Sequence, residues 1–236
     1  LVFCPTMSTS LTDRVQISLC GEVINESDEE KALGLWITND LKWKSQTEKL
    51  IKELNYGVSV LWRLRKVLGN KELKMIAEGL INSRIRYCLQ VYGVEGLRIN
   101  YEQSTSGLQQ DVQKVQNKVL RIITGHTRSE HVRISDMLES TGMMSVNQMA
   151  AFGCLMEMWK ATSFDVPIIG SVFDRRRLDN RSLRSDTAGV VQTSYDEPFA
   201  KCATKLWNLA SERFRSTNLI VIAKQEAKIL ARSLPI

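Results

Sequence analysis

The stretch Lys31-Ala-Leu-Gly-Leu-Trp-Ile-Thr-Asn-Asp-Leu-Lys-Trp43 marks the point where the chain changes from a β-strand pattern to a helical one. Apolar residues alternate with polar residues in two short runs, at 15–19 and again at 33–37. Alternation with a period of two is typical of strands that bury one face. The sequence therefore predicts two strands, joined by the acidic and polar loop 21–30.

Helical patterns follow this stretch directly. Ser45 and Glu48 form a capping-box pair, which is typical of a helix N-terminus. The apolar residues of the predicted helix fall on one stripe: Leu50, Leu54, Val58 and Leu61. Gly69 is a stop signal, and Asn70 is a suitable N-cap for a second helix over about 71–91.

A third helix, over 108–122, has the clearest pattern in the chain. Its apolar residues are spaced 4-3-4-3, and Gly125 follows its end. Ser145 and Gln148 form another capping box, which predicts a further helix after them.

The last part of the chain is less regular. An arginine-rich stretch at 170–197 has the composition of a long loop, and a helical pair is predicted at about 198–214 and 218–232. The predicted fold class is therefore mainly α with a small β element.

Positive charge is concentrated in one part of the sequence. The net charge of the whole chain is +6, whereas residues 42–86 alone hold eleven basic and four acidic residues. A concentrated basic segment is the electrostatic footprint of a polyanion partner, although a solvated helix face has the same composition. We expect this segment to contact the phosphates of RNA or DNA without reading their sequence.

The candidate nucleic-acid-binding residues lie in this segment, mostly off the apolar stripe. Trp43 belongs to them because aromatic rings among basic residues can stack on bases, whereas the spacing of Trp62 is equally compatible with the core. The full set is Lys42, Trp43, Lys44, Lys49, Lys52, Arg63, Lys66, Lys71 and Lys74. The cluster Arg175–Arg177 is a weaker candidate for phosphate contact.

The sequence shows no catalytic or metal site. Two-metal nucleotidyl transfer needs closely placed carboxylates, and the chain has no adjacent pair of aspartates. His126 and His131 have no nearby cysteine, so a zinc site is not expected. The five cysteines are scattered, which favours reduced intracellular thiols. The apolar runs fall far short of the roughly 20 residues that span a bilayer, so no membrane partner is expected.

Short motifs occur along the chain in a distinctive order. The first are Lys-x-Leu-Gly, Leu-x-Trp, Leu-x-x-Leu-Arg and Leu-Ile-x-Ser…Tyr, matched by Lys31, Leu33, Gly34, Leu41, Trp43, Leu61, Leu64, Arg65, Leu80, Ile81, Ser83 and Tyr87. The later matches are Gln116, Asn117, Lys118, Arg121, Ser145, Val146, Gln148, Trp159, Lys160, Arg181, Ser182, Phe199, Trp207, Asn208 and the closing Leu234-Pro235-Ile236. From about Asp13 onward, the chain resembles the region after the active site of reverse transcriptases from non-long-terminal-repeat retrotransposons.

The resemblance implies a role for each part of the chain. Residues 1–41 would be the end of the polymerase palm, 42–93 the helical thumb, and 94–236 the helical region that follows. A primer-grip-like element would be formed by Leu33, Gly34 and Leu35.

The resemblance also implies what the chain lacks. Its parent would be an RNA-directed DNA polymerase that acts in the nucleus by target-primed reverse transcription. The aspartates that bind Mg²⁺ would lie upstream of Leu1, so this chain alone is expected to need no cofactor and to be inactive. Its partners would be RNA, DNA and the upstream palm and fingers of the same polyprotein. The missing initiating methionine likewise predicts a piece of a longer polypeptide.

Two other interpretations remain open from the sequence. A helical protein-interaction module would bind a partner helix with the stripe 108–122 and the Met-rich segment 143–158. The stripe covers only about two heptads, fewer than a coiled coil needs, so packing within the domain is expected instead. The chain could also be a relic of a transposon open reading frame with no selected function.

Overall fold

A computed structural model of the chain describes residues 17–24, 27–101, 107–164, 193 and 197–236. The chain divides into two compact units, Leu1–Glu53 and Leu54–Ile236. Helices form most of the described structure, and strands form short antiparallel hairpins. The predicted class, mainly α with a small β element, is confirmed. Apart from Thr193 and Glu197, the predicted arginine-rich loop lies outside the described residues, as does the cluster Arg175–Arg177.

Two hairpins make up the β part of the first unit. β1 (Ile17–Leu19) pairs with β2 (Glu22–Ile24), and β3 (Glu29–Ala32) pairs with β4 (Leu35–Thr38). The prediction of a single loop over 21–30 is wrong, because β2 and the start of β3 lie within it. The beginning of the first predicted strand falls outside the described residues.

Each hairpin turns on two residues with positive φ. The pairs are Cys20-Gly21, with φ of 52° and 86°, and Leu33-Gly34, with φ of 48° and 84°. Positive φ at both central positions is the type I′ geometry, whose twist matches that of the flanking strands. Leu33 therefore lies in a turn and not in a strand, where the alternation pattern placed it.

α1 (Lys44–Leu64) begins earlier than the sequence predicts. The amide of Thr47 donates to the Trp43 carbonyl at 3.0 Å, so the helix already includes Ser45. The Ser45 hydroxyl donates to the carboxylate of Glu29 on β3. The predicted capping box that starts at Ser45 is therefore wrong, because the serine hydroxyl bonds to the Glu29 carboxylate of the hairpin instead.

The prediction of one helix over 71–91 is only partly right. In the second unit, α2 (Asn70–Ala77) continues through a π-helical turn (Glu78–Asn82) into α3 (Ser83–Arg86). After a break, α4 (Leu89–Tyr92) follows.

The break between α3 and α4 has a local cause. Cys88 has a φ of 52°, in the left-handed region. The buried hydroxyl of Tyr92 donates to the Ile85 carbonyl at 2.7 Å. In a continuous helix this carbonyl would accept from the amide of Leu89, so the tyrosine replaces a helical hydrogen bond.

The remaining helices are α5 (Gly107–Thr124), α6 (Ile134–Thr141), α7 (Val146–Ser163), α8 (Pro198–Leu209), α9 (Glu212–Ser216) and α10 (Ile220–Ser233). α5 confirms the third predicted helix. Ser145 and Gln148 form the predicted capping box before α7. The helix expected over 198–214 ends early, because Ser211 caps α9 by accepting an amide hydrogen bond at 3.1 Å.

α7 is the central helix of the second unit. Buried residues lie on all its sides, and it packs against α4, α5, α8 and α10. A helix that is apolar all round is typical of a core. Asn147, in its first turn, donates to the carbonyls of Arg98 and Pro235 at 2.9 and 2.8 Å, which ties the last residues of the chain to this helix.

Candidate nucleic-acid interface

A groove of about 1120 Å³ lies in the second unit and is lined by the C-terminal half of α1, by α5 and by the loop after α5. We call it the basic groove, because its lining includes Arg63, Arg65, Lys114, Lys118, Arg121 and Arg128. No aspartate or glutamate is among the described residues that line it. A concave surface of this composition attracts anions.

Helical spacing brings the lining side chains to one place. Asn55 and Trp62 are two turns apart on α1, and Lys114, Lys118 and Arg121 are spaced 4-3 on α5. The Lys118 ammonium lies 3.4 Å from the side-chain oxygen of Asn55, which joins the two helices. The groove is therefore a product of two helix faces that meet.

Most of the positive charge in the basic groove has no carboxylate partner in the part of the chain that the structure describes. Of its six basic residues, only Lys114 forms an ion pair among the described residues, at 2.7 Å from Asp111. Arg65 donates to the Gly125 carbonyl at 3.2 Å, and Arg121 donates to a carbonyl of its own helix at 3.4 Å. Neutral partners orient these guanidinium groups without cancelling their charge.

Trp62 supplies a large planar surface to the groove. Its side chain is 58% exposed, whereas the neighbouring Leu61 is fully buried and takes the core position. The guanidinium of Arg65 lies 5.5 Å from the centroid of the Trp62 ring. The alternative that Trp62 belongs to the core is therefore excluded.

Gln116 holds α5 in place beside the groove. This residue is fully buried, and its side-chain amide donates to the Met144 carbonyl at 2.8 Å and to the Asn82 side chain at 3.3 Å. Asn82 ends the π-helical turn. The Gln-Asn-Lys-x-x-Arg string thus has two parts: Gln116 anchors the helix, while Lys118 and Arg121 line the groove.

An ionised glutamate organises the loop after α5. His126 Nδ1 lies 2.6 Å from the carboxylate of Glu130, and the hydroxyl and amide of Thr127 donate to it at 2.8 and 3.1 Å. Hydrogen bonds from His126 and Thr127 lower the pKa of Glu130 to about 2. The carboxylate therefore stays charged at neutral pH and fixes two of the lining residues.

Neither a protein-family model, nor a curated protein, nor a solved structure matches the chain. The resemblance to retrotransposon reverse transcriptases therefore stays a prediction from the sequence motifs. The candidate function depends on those motifs and on the geometry of the groove.

Two of the predicted site residues in the first unit form ion pairs. The Lys42 ammonium lies 3.3 Å from the carboxylate of Asp40. The Lys49 ammonium lies 2.7 Å from the carboxylate of Glu29 and 3.2 Å from the centroid of the Trp36 ring. The hydrogen bond from Lys49 is the main cause that lowers the pKa of Glu29, so this pair persists at neutral pH.

The other predicted site residues are not brought into the groove, with one exception. The exposed residues are Lys44, Lys52, Lys66 and Lys71, and the half-buried ones are Trp43 and Lys74. Of the nine predicted residues, Arg63 is the one that lines the basic groove.

The predicted primer-grip-like residues lie at a hairpin tip. Leu33 is 91% exposed in the turn, next to Gly34, whereas Leu35 on β4 is buried. A leucine in the left-handed region costs roughly 1–2 kcal/mol, so this turn carries backbone strain. Leu33 and Leu35 differ sharply in burial, so they do not form one exposed apolar surface.

The described parts of the chain hold neither a cluster of metal-binding side chains nor a helix suited to span a bilayer. No group of three or more His, Cys, Asp or Glu side chains in these parts could hold a metal ion. None of the helices in the described ranges combines the length and apolar character that crossing a bilayer requires. Burial raises the pKa of the Cys154 thiol, which makes it a poor nucleophile.

The sequence-based site prediction missed most of the basic groove. Lys114, Lys118 and Arg121 recur on the polar side of α5, and this spacing is visible in the sequence beside the stronger apolar stripe. Arg128 follows the helix end and has no periodic signal. Its place in the groove comes from the path of the loop.

Proposed function

We propose that the chain binds nucleic acid as a post-catalytic part of a retrotransposon reverse transcriptase, and that the basic groove holds the phosphate backbone. The observation that carries this proposal is the charge of the groove. Six basic residues line it, one of them is paired with a carboxylate, and no carboxylate is among the described lining residues. Contacts of this kind give affinity for RNA and DNA with little sequence preference.

The order of the sequence motifs supports the proposed parentage. Lys118 and Arg121, which belong to the Gln-Asn-Lys-x-x-Arg string, both line the groove. In the parent enzyme the chain would hold the RNA template and the nascent DNA, next to an upstream palm that binds Mg²⁺. The chain itself has no adjacent aspartates, so it would not polymerise alone.

The rival function is a helical protein-interaction module, and the surfaces that it would need are buried. Val112, Val115 and Val119 are buried within the second unit, as are Met149 and Met158. The expectation that the 108–122 stripe packs within the domain is confirmed. A partner helix would have to displace core side chains of this chain to reach the stripe 108–122 or the Met-rich segment 143–158.

The anisotropy of a labelled duplex, measured with a groove variant, tests the proposal. Replacing Lys118 and Arg121 by glutamine should weaken binding by about tenfold or more. It should also reduce the slope of log affinity against log salt by about 2, because each phosphate contact contributes roughly −0.9.

The matched control replaces Lys224 and Lys228, which are exposed on α10 and do not line the groove. Both variants lose two positive charges, so a difference between their effects has to come from the position of those charges. Equal losses in the two variants would contradict the proposed surface. Primer extension by the chain alone would contradict its post-catalytic placement.

A further inference from the structure

The basic groove offers more than positive charge. Its lining includes the apolar side chains of Val58 and Ile122 and the ring of Trp62. A ligand that fills this groove has to carry negative charge and to bury flat apolar surface. The bases of a duplex are stacked and paired inside, so phosphate contacts to a duplex bury little of that surface. A single strand presents both its phosphates and its base faces.

The exposure of Trp62 is exceptional within this chain. Trp159 and Trp207 are 1% and 3% exposed, and the Trp159 indole donates to the Thr217 carbonyl at 2.8 Å. Trp62 is 58% exposed and lies in the groove instead. Because tryptophan is on average highly buried, an indole in a basic groove is suited to stacking against a ligand.

Arg65 lies over the ring of Trp62 in a cation–π contact. Its guanidinium lies 5.5 Å from the centroid of the indole ring and donates to the Gly125 carbonyl at 3.2 Å. Both indole rings and guanidinium planes stack on unpaired bases in nucleic-acid complexes. The polar side chains of Asn55 and Asn117 also line the groove and can bond to base edges or sugars.

The size of the groove fits a short piece of one strand. Pockets for drug-sized ligands measure about 300–1,000 Å³. The basic groove, at about 1120 Å³, exceeds this range and has room for a few nucleotides.

We infer that the basic groove binds a single-stranded stretch of RNA or DNA, with a base stacked on Trp62 and phosphates on Lys118 and Arg121. This inference rests on the proposed function and sharpens it, because it specifies the strand state of the nucleic acid. Stacking is tolerant of base identity, so the groove keeps its low sequence preference.

The test compares an oligouridine single strand with a blunt duplex of equal length, at one salt concentration, using the full chain. A length of about 12 nucleotides lies within the roughly 4–16 that single-strand-binding folds cover. Trp62→Ala should weaken single-strand binding by about 5- to 150-fold, which corresponds to the loss of one stacked base. Trp62→Phe should restore most of it, and duplex binding should change less than about twofold.

Tyr56→Ala is the matched control, because Tyr56 is an exposed aromatic residue on α1 that does not line the groove. It should leave single-strand binding unchanged. Intrinsic fluorescence gives a second measure: oligouridine should quench the tryptophan signal of the natural chain, and Trp62→Phe should remove most of that quenching.

The outcomes separate this inference from the proposed function. Salt-dependent binding in which Trp62→Ala has no more effect than Tyr56→Ala would overturn the stacked single strand and leave the phosphate-binding groove intact. An equal loss for duplex and single strand would also overturn it. Absence of binding to either probe would overturn the proposed function itself.

Discussion

The two basic regions of this chain contain similar residues but differ in what their charges face. In the first unit, Lys42 and Lys49 lie against the carboxylates of Asp40 and Glu29. Of the six lysines and arginines that line the basic groove, only Lys114 has a carboxylate partner among the described residues. The number of basic residues does not by itself identify a candidate phosphate-binding surface. What matters is positive charge that is not paired with a carboxylate of the same chain.

Tertiary folding produces this difference. Glu29 reaches Lys49 because the β3–β4 hairpin folds back beside the first turns of α1, within the same unit. On α5, Lys118 and Arg121 have neutral oxygens as their described partners. A count of charges along the sequence does not distinguish Lys49 from Lys118. In the structure, Lys49 is paired with a carboxylate and Lys118 with a neutral amide oxygen.

The largest expected effect concerns the anchoring of α5, on which the availability of the groove depends. Gln116→Ala should lower the free energy of unfolding by about 2–4 kcal/mol, because it leaves a cavity and removes the hydrogen-bond donor of the buried Asn82 side chain and of the partly buried Met144 carbonyl. Denaturation in urea measures this loss. Nucleic-acid binding should weaken as well, since α5 carries half of the groove.

Gln225→Ala on α10 is the control, because Gln225 is exposed. Its effect should stay within about 0.5 kcal/mol. If Gln116→Ala costs no more than the control, Gln116 does not anchor α5, and the two-part account of its motif is wrong.

Part of this architecture could be predicted from the sequence, and the reasons differ by element. The 4-3-4-3 spacing of α5 and the capping box before α7 are local signals, and both are confirmed. The hairpin turn at Leu33 is not predicted because leucine disfavours positive φ, whereas the pairing of Ala32 with Leu35 in the hairpin requires it. The capping box expected at Ser45 does not form, because the Ser45 hydroxyl donates to Glu29, a partner that no local pattern reveals.

The site was harder to predict than the fold. Arg63 was correctly placed on a polar helix face, but the groove exists only where α1 meets α5. The sequence predicts Lys49 as a phosphate contact, because the carboxylate that pairs with it lies twenty residues away and no local pattern reveals the pair. The sequence leaves the exposure of Trp62 open, because residues on either side of the leucine stripe of α1 can also pack against other elements.

A smaller effect is expected from releasing a paired lysine in the first unit. Glu29→Gln should free Lys49, raise the affinity for nucleic acid about two- to tenfold and make the salt slope steeper by roughly 0.9. The substitution is needed to remove the charge of Glu29, because the pKa of this residue is lowered and its carboxylate stays ionised at neutral pH. The stabilisation from this pair is present above the ordinary glutamate pKa of about 4.3 and is lost as the pH falls through the lowered one.

Glu30→Gln makes the same charge change at the next residue of β3, which is exposed. A gain for Glu29→Gln that exceeds the gain for Glu30→Gln would show that pairing, and not net charge, keeps Lys49 from binding. Equal gains would mean that the ion pair is irrelevant to binding and that the comparison between the two regions fails.

The salt dependence of duplex binding for two charge-matched variants tests the central claim most directly. One variant replaces Arg63, Lys118, Arg121 and Arg128 in the groove by glutamine, and the other replaces Lys42, Lys44, Lys49 and Lys52 in the first unit. The natural chain should show a slope of roughly −3 to −5, the groove variant a slope close to about −1, and the first-unit variant a slope within about 1 of the natural value. A groove variant that keeps the full slope, beside a first-unit variant that loses it, would contradict the account.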